Sequence, residues 1–267
     1  KDWNWNFSMN FSTVKNKIIS LGGDKKIYGS RYAVGTLNSS PFVLIPGESM
    51  GTFWGVKFLG VWGTDEIAEA EKFGNKPGDS KYEDVNHDNK ITADDYQIIG
   101  NGYPTFSWGF NNSVSYKNIG LNILLEGVHG QDVFNLTYAT TAAITGDART
   151  ITLKEPVENI WSPSNQHSIW PIHSSSNVNY MNSSKWIQNG SFIKLRNVSI
   201  WYNIPKKVIK FGEVRLSLSG QNLLTLTRYK GFDPEISSTG HSDTDLSLDF
   251  GVYPSPRSIT MGISFLF

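Results

Sequence analysis

One segment of the sequence has the residue types and spacing of a calcium-binding loop. In DVNHDNKITADD, residues 84–95, oxygen-bearing groups recur at every second position. The candidate ligands are Asp84, Asn86 and Asp88, the backbone carbonyl of Lys90, the hydroxyl of Thr92 or a water beside it, and the closing carboxylate of Asp95. Ca²⁺ prefers about 6–8 hard oxygen ligands from a chain that curls around it. We therefore predict a structural Ca²⁺ site in this loop.

Two positions depart from the usual calcium-loop pattern. Asn89 stands where glycine normally makes the sharp turn, although Asn tolerates a positive φ better than most residues. Asp95 is shorter than the usual Glu, and Asp94 could replace it as the closing ligand. The alternative is a polar surface turn in which Asp and Asn side chains cap backbone groups. Neither interpretation predicts catalysis, because the segment offers no general base and no open coordination position.

The rest of the sequence gives no sign of an enzyme or of a nucleic-acid-binding protein. The chain has no cysteine, its five histidines lack metal-ligand spacing, and no common nucleophile or phosphate-loop motif occurs. The 24 basic and 24 acidic residues give a net charge of zero, without the excess of basic residues typical of nucleic-acid binding. Aromatic residues make up 13% and charged residues only 18%, a composition that suits a β-rich protein with a second apolar environment. No apolar run reaches the roughly 20 residues of a transmembrane helix.

Alternation of apolar and polar residues predicts six long β-strands. At the start of the sequence Trp3, Trp5 and Phe7 alternate with Asn and Ser, and near its end Ile263 and Phe265 do the same. The predicted strands are 3–13, 105–116, 118–130, 192–204, 213–226 and 257–267. In the fourth of these we expect Phe192, Lys194 and Arg196 to share a face with Val198, Ile200 and Tyr202.

The connections between the predicted strands are of two kinds. Short turns alternate with long segments, which are about 14–104, 131–191 and 227–256. Short turns on one side and long extracellular loops on the other are typical of an outer-membrane β-barrel, whereas a soluble β-sandwich has shorter strands and regular turns. Because the smallest such barrels have about eight strands, we expect six strands to be part of a larger closed sheet.

Several blocks of the sequence resemble SusC-type TonB-dependent transporters of the Bacteroidota. They are the stretch from KYEDVNHDNKITADDY to LEGVHGQDVFN, SFIKLRNVSIWYNIPKKV, VRLSLSGQNLLTLTRYKGFDPE and YPSPRSITMGISFLF. The resemblance implies an all-β fold, in which residues 1–267 are the C-terminal part of a receptor barrel of about 22 antiparallel strands.

The same resemblance implies a function and a set of partners. The function is import of large nutrients, glycans or oligosaccharides and possibly peptides, across the outer membrane of a Gram-negative bacterium. The implied partners are the remaining barrel and plug, a SusD-like surface lipoprotein, TonB through the plug, the barrel-assembly machinery and outer-membrane lipid. No enzymatic activity and no nucleic acid are expected.

Two further groups of residues are candidate sites. Trp161, Trp170 and Trp186 could stack on sugar rings if they are exposed, although we favour packing in the loop's own core or against the lipoprotein. Ile263, Phe265 and Phe267 end the last strand and resemble the signal that the assembly machinery recognises. The simpler interpretation is that they only face lipid, and the two roles are compatible. The rival hypothesis for the whole chain is a secreted or surface β-domain that binds carbohydrate with a structural Ca²⁺.

Overall fold

The fold is known from a computed structural model, which describes residues 2–34, 37–143, 152–173, 177–205, 207–209, 212–235, 237–240 and 242–266. The strands are β1 (Trp3–Ser12), β2 (Ile27–Tyr28), β3 (Tyr32–Val34), β4 (Leu37–Ser39), β5 (Phe42–Leu44), β6 (Thr52–Gly55), β7 (Phe58–Val61), β8 (Ser80–Tyr82), β9 (Gln97–Asn101), β10 (Phe106–Tyr116), β11 (Ile119–His129), β12 (Asp132–Asn135), β13 (Ile187–Asn189), β14 (Phe192–Ile204), β15 (Glu213–Thr227), β16 (Leu248–Asp249) and β17 (Ser258–Leu266). The short helices are α1 (Ile67–Lys72), α2 (Leu136–Thr141) and α3 (Lys154–Glu158). Single 3₁₀ turns occur at Thr64–Glu66, Ala93–Asp95, Asn177–Tyr180 and Ser184–Trp186.

Six strands form one antiparallel sheet, which we call the wall. Their order is β1-β10-β11-β14-β15-β17, so each strand lies beside the next wall strand along the chain. The prediction of six antiparallel strands is confirmed, and the observed bounds lie within one residue of the predicted ones. In the described part of the chain, no helix is long and apolar enough to cross a membrane.

The two faces of the wall differ in chemistry across all six strands. Paired positions place side chains on the same face, and the register therefore aligns one apolar row, such as Tyr202, Leu216 and Ile263, from strand to strand. This apolar face is exposed: Trp5 is 68% and Met261 is 83% accessible. The opposite face carries mostly Asn, Ser and Thr. A sheet commonly buries its apolar face against a core, and the described part of the chain leaves this face uncovered.

A polar residue on the apolar face has its own partner. Asn112 interrupts the apolar row of β10 and lies opposite Phe7. Its side-chain oxygen accepts a hydrogen bond of 2.6 Å from the indole nitrogen of Trp5. The indole N–H and the amide oxygen therefore satisfy each other on this face.

A β-bulge corrects the prediction for the face of β14. The pairing of β14 with β11 steps from Leu125–Leu195 to Leu124–Asn197, and Arg196 is therefore an extra residue. One extra residue moves every side chain beyond it to the opposite face of the sheet. The prediction that Phe192, Lys194 and Arg196 share a face with Val198, Ile200 and Tyr202 is wrong. Ile193 and Leu195 continue the apolar face instead, and the side chains of Lys194 and Arg196 contact acidic groups on the polar side.

The long segments between the wall strands fold together at one end of the wall. Residues 13–105, 130–191 and 228–257 all leave and re-enter the sheet at the same end, opposite the short connections at 117–118 and 205–212. All three contribute to one hydrophobic core, which contains Phe42, Phe53, Phe134, Leu136, Trp170, Tyr180, Trp186 and Leu248. We call this unit the loop body. Small sheets support it, including the four-stranded β2-β5-β6-β9 and the three-stranded β13-β12-β16.

We predict that a charge on the apolar face destabilises the protein in lipid vesicles and that the same charge on the polar face is tolerated. Leu218→Arg should lower the stability there by about 2–4 kcal/mol, because the apolar face is the one expected to contact hydrocarbon. The matched control is Ser219→Arg, one residue along β15 and on the other face. The measurement is denaturant unfolding in lipid vesicles, and equal stability of the two variants would contradict the assignment of the faces.

Candidate functional site

The polar face of the wall carries a groove lined by amide side chains. Its volume is about 590 Å³, and its lining residues are Asn111, Asn122, Leu124, Arg196, Asn197, Gln221 and Asn222. Asn122 donates a hydrogen bond of 3.0 Å to Asn111, which fixes one pair of these amides across β10 and β11. Amides offer both donors and acceptors, and such a surface can bind hydroxyl groups or peptide bonds but holds no nucleophile–base pair.

A buried lysine fastens residues 228–257 to the top of the polar face. The ammonium of Lys194 lies 2.6 Å from a carboxylate oxygen of Asp233 and 2.6 Å from one of Glu235. The Lys194 side chain is only 1% exposed. Removing a charge from water is unfavourable unless ionic partners replace the solvent, and here two carboxylates do so. We call Lys194, Arg196, Glu126, Asp233 and Glu235 the clamp.

Arg196 extends the clamp to a second wall strand. Its guanidinium pairs with Glu126 of β11 and with Glu235, and it donates a hydrogen bond of 3.2 Å to Asn222. Asn222 in turn donates to the carbonyl of Pro256 at 3.1 Å. Because Arg196 is the extra residue of the bulge, the irregularity in β14 and the attachment of residues 228–257 have the same origin.

The electrostatics of the clamp favour the ionised form of Asp233. Burial alone would raise the pKa of this carboxyl, but hydrogen bonds from the Lys194 ammonium and the backbone N–H of Glu235 outweigh it and hold the pKa below its usual value. Asp233 also accepts from the backbone N–H of Ser255 at 3.4 Å. The Asp233 carboxylate therefore joins the start of residues 228–257 to Ser255 near their end.

Sequence reasoning missed the acidic half of the clamp. The sequence pattern predicted residues 227–256 only as a long loop between two strands, and the structure identifies Lys194 and Arg196 as the groups that this loop binds. The sequence did contain a signal for this contact. It predicted two cations on an otherwise apolar strand face, and the segment GFDPE supplies two carboxylates nearby. A lysine and an arginine on such a face require ionic partners, and Asp233 and Glu235 are acidic residues in the adjoining loop.

A second contact joins residues 228–257 to the rest of the loop body. The hydroxyl of Tyr229 donates to a carboxylate oxygen of Asp249 at 2.5 Å, and the hydroxyl of Thr137 lies 3.1 Å from the other oxygen. Burial raises the pKa of Tyr229, and the neighbouring Asp249 raises it further. The phenol therefore stays protonated and remains a hydrogen-bond donor.

The predicted calcium loop adopts a tight turn that its own side chains cap. Asp84 accepts hydrogen bonds from the backbone N–H groups of His87, Asp88 and Asn89, at 2.7, 3.3 and 2.8 Å. Asn89 has a φ of 62°, the conformation that glycine supplies in the usual loop. Burial would raise the pKa of Asp84, but these N–H groups lower it on balance.

The other end of the predicted calcium loop is closed by a buried carboxylate. Asp95 is 0% exposed and accepts from the backbone N–H groups of Val85 and Thr92, both at 2.9 Å or less. Within the described residues no group of three or more His, Cys, Asp or Glu side chains is placed to hold a metal ion. Lys90 and the remaining candidate ligands lie on the exposed side of the turn. The fold accounts for the loop as a capped turn, and Ca²⁺ binding stays a prediction.

The three candidate substrate-binding tryptophans lie inside the loop body. Trp161, Trp170 and Trp186 are 7%, 3% and 0% exposed. Trp186 donates from its indole nitrogen to the carbonyl of Met181 at 3.0 Å, and Trp170 packs edge-on against Tyr138. A sugar needs an accessible ring face to stack on, and these rings offer almost none. The structure therefore favours the packing alternative over the stacking role.

The residues of the predicted assembly signal end the outer strand of the wall. Ile263 and Phe265 lie on the apolar face of β17, 63% and 56% exposed, whereas Phe267 lies outside the described residues. β17 is paired with β15 on one side and is the last strand of the sheet. This placement fits lipid-facing side chains as well as a strand that adds to another sheet, and the assembly role stays a prediction.

Comparison with known proteins identifies the family. TonB-dependent receptors P3 and P26 of Formosa agariphila are each 32% identical to the chain over its whole length, and the receptor SusC of Bacteroides thetaiotaomicron is 23% identical. The chain belongs to the family of TonB-dependent receptors. It spans about 27% of the length of the two Formosa receptors. No protein-family model matches it.

Solved structures show the same fold. The RagAB peptide transporter matches the whole chain with a TM-score of 0.77 at 22% identity, and the chain covers 28% of the matched protein. The same importer in its open-open state matches with a TM-score of 0.75 at 23% identity. The wall and the loop body of this receptor segment therefore have the arrangement of part of a TonB-dependent barrel.

We predict that loss of the clamp lysine releases residues 228–257. Lys194→Met should destabilise the protein by about 3–5 kcal/mol, because Asp233 and Glu235 then lack their cation. Limited proteolysis of residues 228–257 and thermal unfolding in detergent measure the effect. The control is Lys57→Met, which removes an exposed pair with Glu83 and should change stability by less than about 1 kcal/mol. Equal effects of the two substitutions would show that the clamp does not hold the loop.

Proposed function

We propose that the chain forms part of an outer-membrane transporter that imports large nutrients. The observation that supports this most strongly is the wall, whose exposed apolar face suits lipid and whose polar face suits a water-filled lumen. The kinship with TonB-dependent receptors supports the same function. In this arrangement no residue of the chain performs catalysis, and transport uses the polar face as part of the passage.

The polar groove suits oligomeric substrates with many hydrogen-bonding groups. Five of the lining side chains are amides, and each can bind a sugar hydroxyl or a peptide group. We propose glycans or oligosaccharides as the substrate class, with peptides as the second candidate. The similarity to the RagAB peptide transporter supports the second candidate.

We further propose that a SusD-like surface lipoprotein covers the loop body and that TonB supplies energy through a plug. All three long segments meet at one end of the wall and form a continuous folded unit there. Such a unit offers a rigid platform to a partner, since its three segments share one core. The barrel-assembly machinery would insert the protein into the outer membrane.

Uptake by living cells tests the proposed function. Deletion of the gene should abolish uptake of a fluorescently labelled oligosaccharide or peptide, and the parent gene should restore it. Asn122→Trp should restore less uptake than the parent, because a bulky ring fills the polar groove. The control is Leu121→Val on the opposite face of β11.

Three results would contradict the proposal. If deletion of the gene leaves the uptake of both substrate classes unchanged, the protein does not transport them. If the Asn122 and Leu121 variants restore uptake equally, the groove is not part of the passage. A protein that stays soluble and monomeric without detergent would instead favour a surface β-domain.

We also propose that residues 84–95 bind Ca²⁺ and thereby stabilise the loop body. The support is the spacing of the oxygen ligands and the positive φ of Asn89. Asp84→Ala combined with Asp88→Ala should remove the Ca²⁺-dependent rise in melting temperature that the parent shows. Asp24→Ala with Asp65→Ala, two acidic residues elsewhere in the same long segment, is the matched control. An identical response to Ca²⁺ in the 84/88 variant and the parent would exclude the site.

A further inference from the structure

Two connected cavities lie where the apolar face of the wall meets the loop body. The lower one has a volume of about 480 Å³, and the upper one of about 240 Å³. Asn189 and Arg228 line both, so the two form one groove. The lower cavity takes in residues of the apolar face at the strand ends, among them Ile193 and Leu226, which are 42% and 56% exposed.

The upper cavity is cationic. Lys185, Arg228 and Lys230 line it together with Tyr138 and Trp170. Among the described residues, the carboxylate that pairs with these cations is that of Glu155, 3.0 Å from the ammonium of Lys230. In the part of the chain that the structure describes, Arg228 and Lys185 have no ion-pair partner, and the cavity therefore holds an excess of positive charge.

Lys185 is held in place by aromatic rings rather than by an acid. Its ammonium lies 4.6 Å from the centre of the Trp170 ring and 4.8 Å from that of Phe58, and it donates to the carbonyl of Ile169 at 2.8 Å. Burial lowers the pKa of Lys185 to about 7. An anion in the cavity would offset that desolvation and favour the charged ammonium. The lining by Arg228 and Lys185, which have no acidic partner among the described residues, makes the cavity complementary to a bound negative charge.

The lining of the groove changes from apolar residues in its lower part to cations in its upper part, and this combination matches one kind of ligand. The lower part, whose apolar lining residues continue the exposed face, suits acyl chains, and a cationic upper part at the boundary of that face suits a phosphate. A soluble anion would not use the apolar part. A neutral lipid would not use the three cations.

We propose that this groove binds a phosphorylated glycolipid of the outer leaflet, with its phosphate among Lys185, Arg228 and Lys230 and its acyl chains over Ile193 and Leu226. This inference rests on the proposed function, because it requires the apolar face to lie in the membrane. It adds a lipid site that fixes the height of the loop body above the bilayer. The contact joins the wall and the loop body through β13 and the end of β15.

Lipid retention by the complete membrane protein tests the site. The protein is incorporated into phosphatidylcholine nanodiscs that contain either lipid A or dephosphorylated lipid A, and bound lipid is counted by native mass spectrometry. The parent should retain lipid A and lose the dephosphorylated form. Arg228→Gln should weaken retention of lipid A about tenfold, because it removes one charge-assisted contact to the phosphate. The control is Lys207→Gln, a cation at the other end of the wall, which should retain lipid A like the parent.

Each contrary result overturns a stated part of the inference. Equal retention of the two lipids, or unchanged retention by Arg228→Gln, removes the phosphate site. Inorganic phosphate that displaces lipid A as effectively as free lipid A does would show a soluble-anion site instead. Incorporation into the nanodiscs is checked separately for every variant. A parent protein that does not incorporate contradicts the proposed function, whereas an incorporated protein indifferent to the phosphate contradicts only the lipid site.

Discussion

Backbone pairing across the wall is the constraint on which the rest of the structure depends. In hydrocarbon every N–H and C=O must find a partner inside the protein, and paired strands satisfy that requirement while their side chains alternate between two faces. The alternation then divides the chemistry of the chain into an apolar face and a polar face. Because one face is mainly apolar over all six strands and no part of the described chain covers it, that face suits contact with an apolar medium.

The bulge at Arg196 shows how a single residue changes this division. Below it, odd-numbered residues of β14 such as Asn197 and Ser199 face the polar side; above it, Lys194 and Phe192 do. Without the extra residue, Lys194 would lie on the exposed apolar face, away from its carboxylate partners. With it, two cations reach the polar side where residues 228–257 fold back. The irregular pairing therefore places both cations of the clamp beside Asp233 and Glu235.

The six strands of the wall could be predicted because their signal is local. A period of two in apolar residues depends only on neighbouring positions, and β17 and the first half of β15 follow it closely. The bulge could not be predicted in the same way, since it depends on pairing with β11 and β15. The shared core of the loop body could not be predicted from local patterns either. Phe42, Phe134 and Leu248 are far apart in sequence and come together only when the three long segments pack against one another. Trp186 illustrates the consequence, because its residue type allows either stacking on a ligand or packing, and only tertiary contacts decide between them.

The clamp and the core hold the loop body by different physical means. The core stabilises it by burial of apolar surface, which has little directional preference and would tolerate small shifts of the three segments. Ion pairs and hydrogen bonds require particular geometry, and breaking one partner of a buried pair leaves an uncompensated charge. The clamp therefore fixes where residues 228–257 meet the wall, while the core determines that the segments stay together. The attachment thus combines a core with little directional preference and one contact that demands particular geometry, and the second sets the position of residues 228–257 above the polar face.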